Sequence, residues 1–327
     1  MKDFDFVVPQ SLDDAVRRGS SADSRFIAGG TLLVDLLRLS VERPERVIDL
    51  TGVLSSKLEW SEGGLTIGAG TRNTDVAYDA RVMQEMPVLS QALLSGASPQ
   101  LRNMASVGGN LLQRTRCPYF RDVGVLECNK RAPGSGCAAR AGHSRMHAVL
   151  GVSDQCIAAH PSDMCVALLA LDAVVRTRRA VGARQIPLLA FHSLPGAHPD
   201  VENILERGEI VTDVWVPLAP FARRSAYVKA RDRTSFAFAL ASAAVALELD
   251  GQIIKSARVA LGGVATKPWR ATDSEQLLVG KPANAETFSV AANAAISEAH
   301  TTAHNAFKVE LGRRCVRRAL ERAGAVT

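Results

Sequence analysis

Between Gln113 and Ala148 the hydrophobic periodicity that marks the rest of the chain disappears. This stretch holds Pro118, Pro133, Gly134 and Gly136, together with Cys117, Cys128 and Cys137, and Cys156 follows shortly after. A structureless segment of that length is uncommon inside a compact domain unless it is functional, so something other than an apolar core must order it. Cys165 and Cys315 complete the cysteines of the 327-residue chain. The start, Met1-Lys2-Asp3-Phe4-Asp5-Phe6, has no basic segment followed by an apolar one, so no secretion signal is expected in this chain. In that setting a disulfide framework is the weaker reading and a metal or cofactor site the stronger one.

The spacing narrows the chemistry. Ten, eight and eighteen residues separate Cys117, Cys128, Cys137 and Cys156, and no C-x-x-C pair is present. Structural zinc usually relies on close pairs, whereas a 4Fe-4S cube tolerates varied separations between its thiolates. From Arg114 to Arg145 seven basic residues stand against Asp122 and Glu127, and such an excess suits a cage around an anionic cluster. Two other readings stay open: zinc, with His143, His147 or His160 as partners, and inert buried thiols. Each of these histidines is more simply a surface or core residue. Cys165, in the apolar run Met164–Leu171, and Cys315, in a basic helix, read as packing residues.

Elsewhere the pattern is that of an ordinary globular protein, 47% hydrophobic and 22% charged, long enough for about two domains. No run approaches the ~18 apolar residues of a membrane span. Strands are expected at Phe4–Val7, Arg25–Ala28 and Arg46–Leu50, with helices after the first two. Gly63-Gly64 separates a hairpin, Asn73–Ala97 reads as helical with a break at Pro87, and Ser162 is placed to cap the helix Met164–Leu171. A strand at Ile210–Val216 ends at Pro217. Beyond Pro220 come two or three antiparallel strands and Ala-rich helices, which makes the whole α+β. Phe26-Ile27-Ala28-Gly29-Gly30-Thr31-Leu32-Leu33 sets two glycines between a strand and a helix, where free N–H groups can meet a phosphate. It matches neither the Rossmann nor the P-loop pattern, and a plain turn would look the same. Ser106-Val107-Gly108-Gly109-Asn110-Leu111 is a second such pair, equally compatible with a plain turn.

Taken in order, three landmarks, Phe26–Leu33, Arg102–Leu111 and Pro161-Ser162-Asp163, resemble the FAD-binding (medium) subunits of the xanthine dehydrogenase family of molybdenum hydroxylases, over nearly the whole chain. Leu111–Phe120, Cys128-Asn129-Lys130-Arg131 and Pro133–Cys137 are similar to the branch with a 4Fe-4S insertion between the second and third landmarks. That branch includes flavin subunits of bacterial periplasmic aldehyde oxidoreductases and of 4-hydroxybenzoyl-CoA reductase. The resemblance implies a two-part FAD-binding domain of the PCMH type at 1–218, with subdomains at about 1–54 and 55–218 and the insertion at about 113–160. A C-terminal domain of the CO dehydrogenase flavoprotein type, with a three-stranded antiparallel sheet, would occupy 219–327. It further implies that Phe26, Ile27, Ala28, Gly29, Gly30, Thr31, Leu32 and Leu33 hold the FAD pyrophosphate. Ser106, Gly109, Asn110 and Asp163 would bond other polar parts of FAD, Ile210 and Lys229 would meet the isoalloxazine, and Cys117, Cys128, Cys137 and Cys156 would ligate the cluster.

The implied role is electron transfer without a catalytic residue in this chain. Electrons would come from a molybdenum centre on a large partner and 2Fe-2S clusters on a small one, pass through FAD, and leave to an external acceptor during oxidation of aldehydes or N-heterocycles. Alternatives are a reductive enzyme acting on an aromatic acyl-CoA and, in a different class, a zinc-stabilised basic protein that binds nucleic acid. The resemblance disfavours the last, because it assigns most of the formal charge of +6 to the surroundings of bound cofactors. A periplasmic location would require export on a partner's signal peptide; otherwise the chain would be cytoplasmic.

Overall fold

The computed structural model describes residues 1–325. Three short strands, β1 (Asp5–Val7), β2 (Ser24–Ile27) and β3 (Arg46–Asp49), form a parallel sheet with β3 in the middle. Parallel neighbours need crossovers, supplied by the helices Leu12–Gly19 and Leu33–Arg38. Ser11 fixes the start of the first, its Oγ accepting from the Asp14 N–H at 3.1 Å. Ala15 and Val16 then pack on Ile48, Leu50 and Ile210.

The middle of the chain builds an antiparallel sheet from β4 (Leu58–Trp60), β5 (Gly64–Gly68), β6 (Val174–Arg179), β7 (Gly182–Pro187) and β8 (Ile210–Pro217), in the order β4-β5-β8-β6-β7. Its core is shared with the helices Asn73–Tyr78, Pro87–Ser95 and Asp163–Ala170. Pro87 opens a helix at the first-turn position that suits its fixed φ and missing N–H, so it starts a new helix within the helical stretch. Ser162 caps Asp163–Ala170 through a bond from the Cys165 N–H at 3.1 Å. Every residue of that helix is buried, which is why its sequence is apolar without a polar face.

The C-terminal sheet, β9 (Ser225–Ala230), β10 (Ala241–Asp250), β11 (Ile253–Gly262) and β12 (Trp269–Arg270), is antiparallel in the order β12-β11-β10-β9. It has one strand more than the sequence suggests, because the edge pairing of β12 spans only two residues. Alternation along β10 sends Ala243, Val245 and Leu247 towards the helices Ala285–Ala294 and Phe307–Gly324. Ala244 and Ala246 face the core shared with Pro87–Ser95 and Asp163–Ala170. The strand is therefore covered on both faces, and its small side chains let both layers come close.

Lys308, on the last helix, is fully buried and donates to the carbonyls of Met146 at 3.1 Å and Gly263 at 2.8 Å. Nearby, Asn305 Nδ2 donates to the Ala148 carbonyl and the His300 N–H to the Val149 carbonyl. The last helix and the loop before it thus grip the exit of the cysteine segment. Burial, assisted by Arg145, pushes the Lys308 ammonium down to about 7 from its ordinary 10.5. Below about pH 7 the group is protonated folded and unfolded alike. Between that point and 10.5 only the unfolded chain keeps the proton, so this group makes stability rise with pH across that window. Lys308→Met is expected to remove that rise, so urea unfolding at several pH values should show the wild-type advantage over the variant growing with pH. A constant difference would contradict the buried, weakly basic ammonium.

Candidate functional site

A cavity of about 830 Å³ opens between the N-terminal sheet, the middle domain and the cysteine segment, a size ordinary for a cofactor. Phe26 to Leu33 form one wall, with Ser106, Gly109, Arg114, Lys130, His160 and His192 around it. Gly30 turns the chain after β2 with φ +69. At Gly29 a Cβ would sit 1.8 Å from the Met104 carbonyl oxygen, so only glycine allows the two loops to close on each other. None of the backbone N–H groups of Gly29 to Leu33 donates to a partner among the described residues. Because the helix that follows has only six residues, attraction for an anion comes from these amides more than from a long helix dipole.

The other expected residues divide. Ser106 caps the short helix Val107–Leu111 by accepting from the Gly109 N–H at 3.2 Å. Asn110 lies behind the wall, its Oδ1 accepting from Ser162 Oγ at 2.7 Å and from Gln113 Nε2 at 3.1 Å. Ile210 does not line the cavity; it belongs to the small core under β3, while its neighbours Gly208 and Glu209 line the wall. Asp163 faces a second cavity of about 150 Å³, which shares Thr115, Ala159 and His160 with the first. Its carboxylate accepts from Tyr227 Oη at 2.6 Å and from Lys229 Nζ at 2.7 Å, and Lys229 also donates to the Ser95 carbonyl. With side chains 3% and 8% exposed, Lys229 and Asp163 are a buried pair. Lys229→Met should cost about 3–5 kcal/mol in chemical denaturation by stranding the carboxylate, and adding Asp163→Asn should recover most of it.

The four cysteines converge. Cys117, Cys128, Cys137 and Cys156 all line one small enclosed space with Tyr119, Phe120 and Lys130, and none forms a disulfide. Cys128 and Cys137 face each other across an antiparallel bridge. Asn129 staples the segment, donating to Gln155 and accepting from the Gly136 N–H, and Arg131 ties the carbonyls of Tyr119, Phe120 and Val125. Among the described residues no three of these thiols come within 4.8 Å of one another. Zn–S bonds of about 2.3 Å would put tetrahedral sulfurs about 3.8 Å apart, so the thiols as they stand do not form a zinc tetrahedron. The space between the thiols is about 10 Å³, with Cys117 and Cys137 half-buried at its rim. Burial pushes the Cys117 thiol up to about 12, with the Phe120 and Tyr119 N–H groups opposing and Cys128 and Cys156 adding, and burial also raises Cys156. A thiolate at Cys117 or Cys156 is therefore favoured by a bound cation.

The basic residues of this segment do not form the expected cage. Arg116 and Arg121 pair with Asp35 at 3.2 and 2.5 Å, and Arg114 with Glu42 and Glu202, both at 2.5 Å. Arg140 pairs with Asp154 and Arg145 with Asp232. Acidic partners, all but Asp154 far away in sequence, take up the charge, and the cations fasten the segment to the fold. Only Lys130, itself bonded to Glu202 at 3.0 Å, also acts on a thiol, Cys156.

Comparison with known proteins decides the family. The pattern of the FAD binding domain in molybdopterin dehydrogenase matches residues 2–219, and that of the CO dehydrogenase flavoprotein C-terminal domain matches residues 225–323. The chain belongs to the FAD-binding subunits of the molybdopterin dehydrogenases. Aldehyde oxidoreductase FAD-binding subunit PaoB of Escherichia coli (strain K12) is 50% identical over 305 residues, 92% of each chain. Glyceraldehyde dehydrogenase medium chain of Sulfolobus acidocaldarius is 28% identical over 284 residues, 86% of this chain and 83% of the relative. A chain of the Cu,Mo-CO dehydrogenase in its cyanide-inactivated form has the same fold, with a TM-score of 0.77 at 23% identity and 99% coverage of both chains.

For an FAD-binding subunit the large cavity fits its cofactor, since the unpartnered amides at Gly29 to Leu33 supply donors for a pyrophosphate. The flavin subunit also carries further polar groups on the cavity wall, of which the sequence singled out only His160, and that as a possible zinc partner. His160 and His192 stack edge to face at 4.7 Å, and with the fully buried Cys165 they bring one donor atom each within 4.8 Å of one another. Desolvation holds His192 down at about 4 and His160 well below the ordinary value, so both rings are neutral. His160 Nε2 and His192 Nδ1 have no protein partner. Glu202 is the other such residue: burial opposes its ionisation, but Arg114 and Lys130 outweigh that and hold its carboxyl below the usual range. Gly29→Ala is expected to force the first landmark away from Met104, so the purified flavin subunit should retain well under one FAD per chain. Full FAD content in that variant would contradict the tight closure.

Proposed function

We propose that this flavin subunit transfers electrons in an aldehyde oxidoreductase of the molybdenum hydroxylase type, holding FAD in the large cavity and a 4Fe-4S cluster on Cys117, Cys128, Cys137 and Cys156. The observation that carries the reading is the meeting of four unbridged thiols in one enclosed space, against the helix that follows the phosphate-binding turn. Leu36 of that helix packs directly with Phe120 and Cys128. The 50% identity to an aldehyde oxidoreductase subunit supports the aldehyde assignment.

In this reading the amides of Gly29 to Leu33 hold the pyrophosphate, Ser106 and Gly109 shape the wall beside it, and the four thiolates ligate iron. Bound FAD takes up electrons singly or in pairs and passes them on. A large molybdenum-cofactor subunit and a small 2Fe-2S subunit supply the electrons, and an external acceptor removes them. No helix among the described residues is long and apolar enough to cross a membrane. The assembled complex reaches the periplasm if a partner carries the export signal.

Visible spectroscopy with flavin and metal analysis tests the reading. The purified chain is expected to be yellow-brown, with one FAD and about four irons. Zinc in place of iron would overturn the cluster, and absence of flavin would overturn the role as a whole. Cys137→Ser, at the rim, is expected to lose the iron and keep FAD.

A further inference from the structure

His147 stands between the cysteine nest and the second cavity. The residue is 2% exposed, its Nε2 lies 3.1 Å from Cys117 Sγ, and its Nδ1 has no hydrogen-bond partner. His147 and Cys117 both line the second cavity, as does Asp163. The ring is held by its own backbone, whose N–H donates to the Ser144 carbonyl at 2.9 Å, and by Tyr119, whose ring centre is 6.0 Å away. Among the described residues no other side chain makes a hydrogen-bond contact with any of the four sulfurs. The other donors to these sulfurs are backbone N–H groups, those of Tyr119 and Phe120 towards Cys117 and that of Ala158 towards Cys156 Sγ at 3.4 Å.

We propose that His147, with its proton on Nε2, donates a hydrogen bond to the Cys117 thiolate and thereby raises the reduction potential of the cluster. The proposal rests on the 4Fe-4S reading above. The tautomer follows from the two ring positions. A proton on Nδ1 would have no acceptor, and would turn the Nε2 lone pair towards the lone pairs of the thiolate, leaving a buried donor unsatisfied and two acceptors in contact. With the proton on Nε2 the thiolate receives a donor, and the group left without a partner is an acceptor. An added electron increases negative charge on the cluster and its sulfurs, so an N–H pointed at one of them stabilises the reduced state more than the oxidised one. His147 is a positioning residue in this role: it reaches the metal through Cys117 and leaves the ligand count unchanged.

The test is an EPR-monitored redox titration of the full-length chain, with iron and FAD quantified for each variant. His147→Phe is expected to move the reduction equilibrium about tenfold towards the oxidised form, about 59 mV for a one-electron couple, with iron unchanged. His147→Gln, whose amide supplies a donor, is expected to restore most of the shift. An unshifted potential in iron-replete His147→Phe overturns the proposal. If the Phe variant loses iron, the wild-type protein decides: hyperfine coupling between the reduced cluster and isotope-labelled histidine nitrogen supports the bond, and its absence in iron-replete protein overturns it. Wild-type chain with FAD but no iron removes the 4Fe-4S reading and this hydrogen bond together, whereas an iron-replete chain that fails the first test removes the hydrogen bond alone.

Discussion

The helix Leu33–Arg38 joins the large cavity to the cysteine segment, and the rest of the arrangement depends on that seam. Its N-terminal side continues the turn whose amides face the large cavity. Its other side presents Leu36 to Phe120 and Cys128, and Asp35 to Arg116 and Arg121. A segment with no hydrophobic period of its own acquires order here by attaching to an element that already has a place in the fold. Apolar contact supplies the attraction, and the shared carboxylate at Asp35, only partly buried, fixes the register more than it adds stability. Beyond the seam, Glu42 and Glu202 on either side of Arg114 extend the same attachment along the cavity wall.

Most of the fold was legible because its signals are local. Ser11 and Ser162 cap helices within three residues, Pro87 starts a helix, and alternation marks the C-terminal strands. The Gly29-Gly30 turn was readable for the same reason, since the positive φ of Gly30 is a demand made within the turn. The candidate site left least signal in the sequence where its parts come from distant places. Counting charge between Arg114 and Arg145 suggested a cage for an anion, because the count ignores Asp35, Glu42 and Glu202, which lie far outside that window and absorb most of it. Ile210 shows a related limit: position in a pattern does not say which way a side chain points, and on β8 this one points into a core.

The histidines are the clearest case of information that sequence alone lacks. His160 and His192 are separated by the whole helix Asp163–Ala170 and the β6–β7 hairpin, and they meet only because those elements fold back on the middle sheet. His147 and Cys117 likewise sit at opposite ends of the irregular segment. In both cases a neutral ring is placed by burial rather than by a charged partner, which is a property of the assembled interior.

The doubly covered C-terminal sheet sets a spacing by what it lacks. Along β10 the side chains facing the helix Asp163–Ala170 are alanines, and in β11 a Cβ on Gly262 would meet Val166 of that helix at 2.4 Å. The helix in turn carries Ser162 and Asp163 at its start, both on the wall of the second cavity. Interiors packed this closely transmit displacement instead of absorbing it. The sheet therefore works as a gauge block: adding a methyl group in the C-terminal domain would shift the helix and, with it, the geometry of a cavity wall formed by a different part of the chain.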